Sequence, residues 1–167
     1  MGLGMAERES AASGIEVTIP GRRKPLRISH AVFDFNGTLA TDGRLIRGVG
    51  TRIKRLASVV DAVVMTADTF GTARQALHGL PVTVQVVRGG AEKRRLVESI
   101  GGENVAVIGN GANDVPMFKA ASLGIAVCGV EGTAAELLRA ATVVVRDVND
   151  ALDLLLEPQR LVATLRR

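Results

Sequence analysis

Four polar features follow short apolar runs in this sequence, each where the chain leaves a predicted strand or enters the next helix. Asp34 ends the run in "AVFDFNGTL", Thr66 ends "VVMT", Lys93 lies early in the helix after "VTVQVV", and "GNGAND" covers 109–114. Taken singly, each could be a helix cap, a turn or a surface charge. Because the carboxyl ends of parallel strands share one edge of a sheet, the four together predict a common site.

Several kinds of chemistry are excluded by what the chain lacks. The only histidines are His30, upstream on the strand of Asp34, and His78, late in a predicted helix, so neither is placed as the base of a serine-type hydrolase. "DFNGTL" is not a dinucleotide-binding glycine motif, and the sequence contains neither a Gly-Lys-Ser/Thr phosphate loop nor Cys/His zinc spacing. Phosphoryl transfer to an aspartate remains.

An aspartate nucleophile needs neighbours that neutralise a phosphoryl group. The carboxylate of Asp34 would attack phosphorus and form an aspartyl-phosphate. Mg²⁺, Lys93 and the hydroxyls of Thr38 and Thr66 would offset the negative charge. Backbone N–H groups of the turn from Phe35 to Thr38 would cradle the phosphate.

The elements that must position these residues alternate between strands and helices. After a flexible tail over residues 1–14, we expect one domain over residues 15–167, which begins with short strands split by a turn at Pro20-Gly21. Continuously apolar strands then alternate with predicted helices over 48–60, 70–80, 90–102, 112–122 and 132–141, and Pro158 separates or begins the C-terminal helices. This pattern predicts an α/β three-layer sandwich with a mainly parallel central sheet, Rossmann-like.

Composition narrows the partners and the location. Aromatic residues are only 2% of 167 residues and the net charge is +4 without a basic block, so we expect no nucleic-acid partner. No apolar run is long enough to span a bilayer, and we expect no membrane partner. The single cysteine, Cys128, allows no internal disulfide, which favours the cytoplasm, and we expect it to be a buried thiol at a strand end.

The four features, in this order, resemble the motifs of the haloacid dehalogenase-like superfamily, which includes phosphatases and P-type ATPases. "DFNGTL" is similar to the first motif, usually Asp-x-Asp-Gly-Thr-Leu, and "GNGAND" to the fourth, usually Gly-Asp-Gly-x-Asn-Asp. The resemblance implies a haloacid dehalogenase-like fold and a Mg²⁺-dependent phosphatase. The whole chain is similar to small P-type-ATPase-like proteins without membrane helices.

The resemblance also implies a role for each site residue. Catalytic roles fall on Asp34, Asn36, Thr66 and Lys93. Phosphate contacts fall on Phe35, Asn36, Gly37, Thr38, Thr66, Ala67, Lys93 and Asn113. Metal ligation falls on Asp34, Asn36 through its carbonyl, Asn110 and Asp114.

Two amides stand where the family carries acids. Asn36 replaces the general acid/base, which contributes about 10²- to 10⁴-fold, so we expect slow turnover. Asn110 replaces an anionic Mg²⁺ ligand, so we expect weak binding of the metal until phosphate arrives. The amides leave two alternatives open: a phosphate- or nucleotide-binding regulatory module, or an interaction protein that reuses the fold.

The short intervals between the motifs leave room only for a flap, "ATDGRLIRG", and for core elements. The resemblance therefore implies a member without a cap domain. Such members act on large substrates such as proteins or cover the site by oligomerising. We expect a phosphorylated small molecule or protein as substrate, and a homo-oligomer is left open.

Overall fold

The structure, a computed structural model, describes residues 12–68 and 71–167, so most of the predicted tail lies outside the described residues. The strands are β1 Ile15–Val17, β2 Leu26–Ile28, β3 His30–Asp34, β4 Ala40–Thr41, β5 Arg44–Leu45, β6 Asp61–Thr66, β7 Thr83–Val86, β8 Val105–Gly109, β9 Leu123–Val127 and β10 Val143–Val145. The α-helices are α1 Val49–Leu56, α2 Thr72–Ala76, α3 Gly90–Ser99, α4 Val115–Ala120, α5 Ala135–Ala140, α6 Val148–Leu156 and α7 Gln159–Leu165.

Six of the strands form the central sheet, in the order β10-β9-β8-β3-β6-β7, and every pair is parallel. From β3 the chain moves through β6 to β7, then returns to the other side of β3 for β8, β9 and β10. The direction of winding therefore reverses between β3 and β8. Ligands of open α/β sheets bind at the carboxyl ends of the strands beside such a reversal.

The sheet is covered on both faces, which confirms the predicted three-layer architecture. Successive residues of β3 point to opposite faces: Phe33 joins the core under α1 and α6, and Val32 joins the core under α3, α4 and α5. Because both faces are buried, every residue of β8 and β9 is buried, as are the three central residues of β3. Arg52 of α1 and Asp153 of α6 join the two helices on one face by two hydrogen bonds of 2.8 and 3.1 Å.

Two hairpins flank the sheet. β1 and β2 pair antiparallel on either side of the predicted Pro20-Gly21 turn. The flap is a hairpin of β4 and β5, whose turn places Asp42 at φ 51° and Gly43 at φ 75°, as a tight two-residue hairpin turn requires. Among the described residues between Thr38 and Lys93, only this hairpin, α1, α2 and the first turn of α3 are added to the strands, so none of them builds a cap domain.

Several helices are shorter than predicted. The helix predicted over 48–60 ends at Leu56, and the one predicted over 70–80 is the five-residue α2, so His78 lies in the following turn rather than in a helix. The helix predicted over 112–122 begins as a 3₁₀ turn, Ala112–Asp114, before α4. Pro158 lies directly before α7 and separates it from α6, as expected.

Cys128 was predicted to be buried, and this prediction is wrong. β9 ends at Val127, and the next residue turns into an exposed loop, so the thiol faces solvent. No helix in the described parts of the chain is long and apolar enough to cross a membrane.

Candidate active site

The four polar features meet at the carboxyl edge of the sheet, around the reversal between β3 and β8. Asp34 is the last residue of β3, Thr66 the last of β6, and Asn110 follows β8 directly. Lys93 reaches the same place from the first turn of α3. The edge predicted from strand ends is therefore the edge at which these side chains lie together.

Lys93 is the centre of this cluster. Its ammonium donates to Asp34 Oδ1 at 2.8 Å and to Asp114 Oδ1 at 2.6 Å. The Lys93 side chain is 2% exposed and that of Asp114 is 0% exposed, whereas that of Asp34 keeps 14%. Of the three charged groups, Asp34 is thus the one that a ligand can reach.

Burial and the two ion pairs set the protonation of the cluster. Burial raises the pKa of Asp34 to about 6 from an ordinary 3.8; the charge of Asp114 adds to the rise and Lys93 opposes it. Burial by itself would lower the pKa of Lys93, but Asp34 and Asp114 outweigh it, so the pKa of Lys93 is raised. Near neutral pH, Lys93 is charged and Asp34 is an available carboxylate.

Asp114 organises the loop that follows β8. Its Oδ2 accepts hydrogen bonds from the backbone N–H groups of Asn110, at 3.1 Å, and Gly111, at 3.0 Å, while Oδ1 accepts from Lys93. Both carboxylate oxygens are therefore occupied by protein donors. Asp114 fixes the positions of Lys93 and Asn110 and has no exposed side-chain surface.

The turn after Asp34 brings the first and fourth motifs into contact. Thr38 Oγ1 donates to Asn110 Oδ1 at 3.2 Å. Within the turn, Gly37 N–H donates to Ala40 O and Thr38 N–H donates to Phe35 O, so these two groups are not available to a phosphate. Phe35 N–H contributes a hydrogen bond to the Asp34 carboxylate, and Asn36 N–H donates to none of the described residues.

Thr66 and Asp68 close the other side of the site. The Thr66 hydroxyl is buried and accepts a hydrogen bond from Asp68 N–H at 3.0 Å. Asp68 Oδ2 accepts from Ala73 N–H at 2.8 Å and so caps the start of α2. Asp68 therefore shapes the loop after Thr66.

The remaining predicted residues lie on the rim. Asn36, Ala67 and Asn113 are exposed. The Asn36 side chain, at the position that the resemblance assigns to an acid/base, makes no hydrogen bond with the described residues. These three are free to meet a ligand.

Two features of the site were not predicted from the sequence. A Cβ added at Gly90 would lie 2.7 Å from Asn113 O and 2.9 Å from Pro116 Cγ, so only glycine lets α3 pack this closely against α4 and bring Lys93 inward. The loop 128–134, after β9, also reaches the site, where Asn110 Nδ2 donates to Gly132 O at 3.1 Å. That loop leaves a strand at the same edge, which was a usable signal.

Comparison with known proteins assigns the family. A family model of haloacid dehalogenase-like hydrolases matches residues 67–152. An uncharacterized protein of Methanocaldococcus jannaschii is 45% identical over 78 residues, which cover 44% of this chain and 84% of that protein. The chain belongs to the haloacid dehalogenase-like hydrolases, as its motifs predicted.

Solved structures share the fold at low identity. The 3-deoxy-D-manno-octulosonate 8-phosphate phosphatase of Moraxella catarrhalis, in complex with magnesium, phosphate and KDO, aligns with a TM-score of 0.67 at 14% identity, over 83% of this chain and 94% of that one. The cobalt-bound deoxy-D-mannose-octulosonate 8-phosphate phosphatase of Haemophilus influenzae gives 0.66 at 18%, over 80% and 90%. An apo phosphoserine phosphatase gives 0.63 at 16%, over 75% and 98%.

Proposed function

We propose that the protein is a Mg²⁺-dependent phosphohydrolase that forms an aspartyl-phosphate at Asp34 and turns over slowly. The observation that carries the proposal is the Lys93 ammonium between Asp34 and Asp114, at 2.8 and 2.6 Å. The partly exposed carboxylate of Asp34 thus lies beside the buried, fixed ammonium of Lys93. A phosphoryl group next to Asp34 would meet that positive charge in a site of low dielectric, where it is worth most.

The first half-reaction uses groups that are already in place. A carboxylate oxygen of Asp34 forms a bond to phosphorus while the bond from phosphorus to the leaving oxygen breaks. Lys93, the Thr66 hydroxyl and the N–H of Asn36 are the donors we assign to the phosphoryl oxygens. The leaving oxygen takes its proton from solvent because an amide at Asn36 has none to give.

The second half-reaction is the slow one in this proposal. Water attacks phosphorus, the Asp34–phosphorus bond breaks, and the proton of the water goes to solvent. In the family a carboxylate would accept that proton, whereas Asn36 cannot. The phospho-enzyme is therefore long-lived.

The donor set at the proposed metal site consists of hard oxygens, as Mg²⁺ requires. The described residues contain no group of three or more His, Cys, Asp or Glu side chains able to hold a metal. The metal ligands we propose are therefore Asp34, Asn110 Oδ1 and the backbone carbonyl of Asn36. That carbonyl accepts no hydrogen bond from the described residues. One or two carboxylates with substrate phosphate are a usual Mg²⁺ set, and the bound ion would offset phosphate charge. Asp114, which the resemblance also assigned to the metal, has both carboxylate oxygens bonded to protein donors, so we propose that it serves this site by orienting Asn110.

The similar phosphatases solved with cobalt, and with magnesium and phosphate, support a divalent metal. The substrate we propose is a phosphorylated small molecule or protein. Because the described residues include no cap domain, they do not distinguish a small-molecule substrate from a protein substrate.

The proposal is tested by incubating the protein with acetyl phosphate, with MgCl₂ or with EDTA, and measuring intact mass after acid quenching. We expect a Mg²⁺-dependent gain of one phosphoryl group in the natural protein and none in Asp34→Asn. Phosphate release should follow more slowly than the mass gain. Equal mass spectra for the two proteins would reject the proposal.

One observation favours a second candidate, a phosphate-binding module with negligible turnover: the amides at Asn36 and Asn110. Such a module would be stabilised to heat by MgCl₂ with a phosphate mimic such as beryllium fluoride, yet release no phosphate from any ester. The same quenched samples separate the two functions, because the module would show no phospho-enzyme.

A further inference from the structure

Glu131 lies over the turn of the first motif, although it is far from that turn in the sequence. A Cβ added at Gly37 would collide with Glu131 Oε2 and would lie 2.6 Å from Asn110 Nδ2 and 2.9 Å from Asn110 Oδ1. The space above Gly37 is therefore filled by the carboxylate of Glu131 and the amide of Asn110. Since the carbonyl of Asn36 is bonded to the nitrogen of Gly37, both proposed neutral metal ligands lie next to this carboxylate.

The loop that carries Glu131 is tied to Asn110. Ala134 N–H donates to Asn110 O at 2.9 Å, and Asn110 Nδ2 donates to Gly132 O at 3.1 Å. Within the loop, Thr133 Oγ1 donates to Val127 O at 2.7 Å. Asn110 is thus linked through its backbone carbonyl and its side-chain amide to Ala134 and Gly132, which holds the loop of Glu131 beside Asn110.

The charge of Glu131 is not neutralised by the protein. Its carboxylate makes no hydrogen bond and no ion pair with any of the described residues. The other two acids of the site differ in this respect, since Asp34 and Asp114 share the ammonium of Lys93. Glu131 therefore contributes the unbalanced negative charge at the Asn110 side of the site.

We propose that Glu131 supplies the negative charge that the divalent-cation site lacks at Asn110, acting on the bound cation directly or through one of its waters. The inference rests on the proposed function, because it concerns the same metal. Two carboxylates, Asp34 at the end of β3 and Glu131 in the loop after β9, then flank an amide and a carbonyl oxygen. Carboxylates one step removed from a metal typically change its affinity by about 10- to 100-fold.

The test is calorimetric titration of the full chain with MgCl₂ in the presence of saturating inorganic phosphate. Glu131→Gln removes the charge and keeps the shape, and Glu131→Lys reverses it. Glu136→Gln is the matched control, because Glu136 is also exposed, lies in the first turn of α5 and loses the same charge. We expect the Kd for Mg²⁺ to rise about tenfold or more in Glu131→Gln, further in Glu131→Lys, and less than twofold in Glu136→Gln.

Equal Kd values for Glu131→Gln and Glu136→Gln, with the natural protein still binding Mg²⁺, would overturn the inference and leave the proposed function intact. A slower release of phosphate at unchanged Kd would also overturn it, since Glu131 would then act on protons. Absence of Mg²⁺ binding in the natural protein would reject both proposals. Because Glu131 is exposed and unpaired among the described residues, Glu131→Gln and Glu131→Lys should unfold at the same urea concentration as the natural protein.

Discussion

The proposal of slow turnover depends on Asn36, which the resemblance places where the family carries an acid. Its side chain is exposed at the rim and bonded to none of the described residues, so an acid placed there would face the same solvent. We expect Asn36→Asp to raise the rate of phosphate release by about 10²- to 10⁴-fold, because it restores a proton donor and acceptor. Steady-state release from acetyl phosphate measures this. Asn36→Ala is the control and should show no gain; a similar gain in both variants would contradict the argument.

Lys93 carries the electrostatic balance of the site. Lys93→Met would leave Asp34 and Asp114 buried side by side without a cation. Breaking a buried ion pair from one side typically costs about 3–5 kcal/mol, and we expect a loss of that size in the free energy of unfolding. Urea denaturation at pH 7 measures it. The double variant with Asp34→Asn should recover part of the loss, and a loss below about 1 kcal/mol would show that the ion pairs add little.

The raised pKa of Asp34 predicts a pH dependence of stability in metal-free buffer. Between the ordinary pKa of 3.8 and the native value of about 6, the folded protein holds a proton that the unfolded chain has released. The free energy of unfolding should therefore fall as pH rises through this window, by on the order of 3 kcal/mol, and then level off. Urea midpoints of the natural protein and Asp34→Asn at several pH values isolate the effect. If the urea midpoints of the two proteins change with pH in parallel, the predicted contribution of Asp34 is contradicted.

At the scale of elements, the close packing of α3 on α4 positions Lys93. A methyl group at Gly90 would meet Asn113 O and Pro116, so the helices must separate in Gly90→Ala. We expect a loss of about 1–3 kcal/mol in the free energy of unfolding, despite the better helix propensity of alanine, together with weaker phosphate binding.

Gly89 offers a matched control for this substitution. Its φ of 165° is extended, and nothing lies within 4 Å of an added Cβ. Gly89→Ala should change stability by no more than about 0.5 kcal/mol. Thermal unfolding with and without MgCl₂ and phosphate compares the two variants, and equal behaviour would remove the steric argument.

Much of the element pattern could be predicted because it depends on local sequence. The apolar runs of β3, β8 and β9 are buried on both faces, and burial of this kind leaves an unbroken hydrophobic signature. Helix ends were less predictable. α2 is only five residues long, although its sequence is compatible with a longer helix. The hydrogen bond from Ala73 N–H to Asp68 Oδ2 lies at the start of α2, and residues 77–79 turn away at its end; no local pattern records either feature.

For the candidate site too, the part that depends on local sequence could be predicted. Strand ends indicated that Asp34, Thr66 and Asn110 share an edge. The sequence did not indicate that Lys93 bridges two carboxylates or that Glu131 lies over Gly37, because both depend on contacts between distant loops. The predicted burial of Cys128 was wrong for a related reason, because an apolar run does not reveal the residue at which a strand leaves the core.

At the scale of the whole molecule, the sheet divides the core into two clusters, and we propose that both belong to one cooperative domain over residues 15–167. Leu161 of α7 is fully buried in one cluster and Leu137 of α5 in the other. Leu161→Ala and Leu137→Ala should each lower the free energy of unfolding by about 2–5 kcal/mol.

A single cooperative domain also predicts the number and the slope of the urea unfolding transitions. Each variant should retain a single urea transition with an unchanged slope. Leu138→Ala, next to Leu137 but 41% exposed, is the control and should cost well under 1 kcal/mol. Two separate transitions in either core variant would show that the faces unfold independently.

The hydrogen bonds of the two glycines that follow the amides affect how the protein ages. Both amides belong to Asn-Gly pairs, whose deamidation begins when the glycine nitrogen attacks the side chain and would turn either amide into an acid. Here Gly37 N–H is held by Ala40 O at 2.8 Å, and Gly111 N–H by Asp114 Oδ2 at 3.0 Å. Both nitrogens are thus restrained from cyclisation, so both amides should persist in the folded molecule, and only its unfolded form should drift towards acids at these two positions.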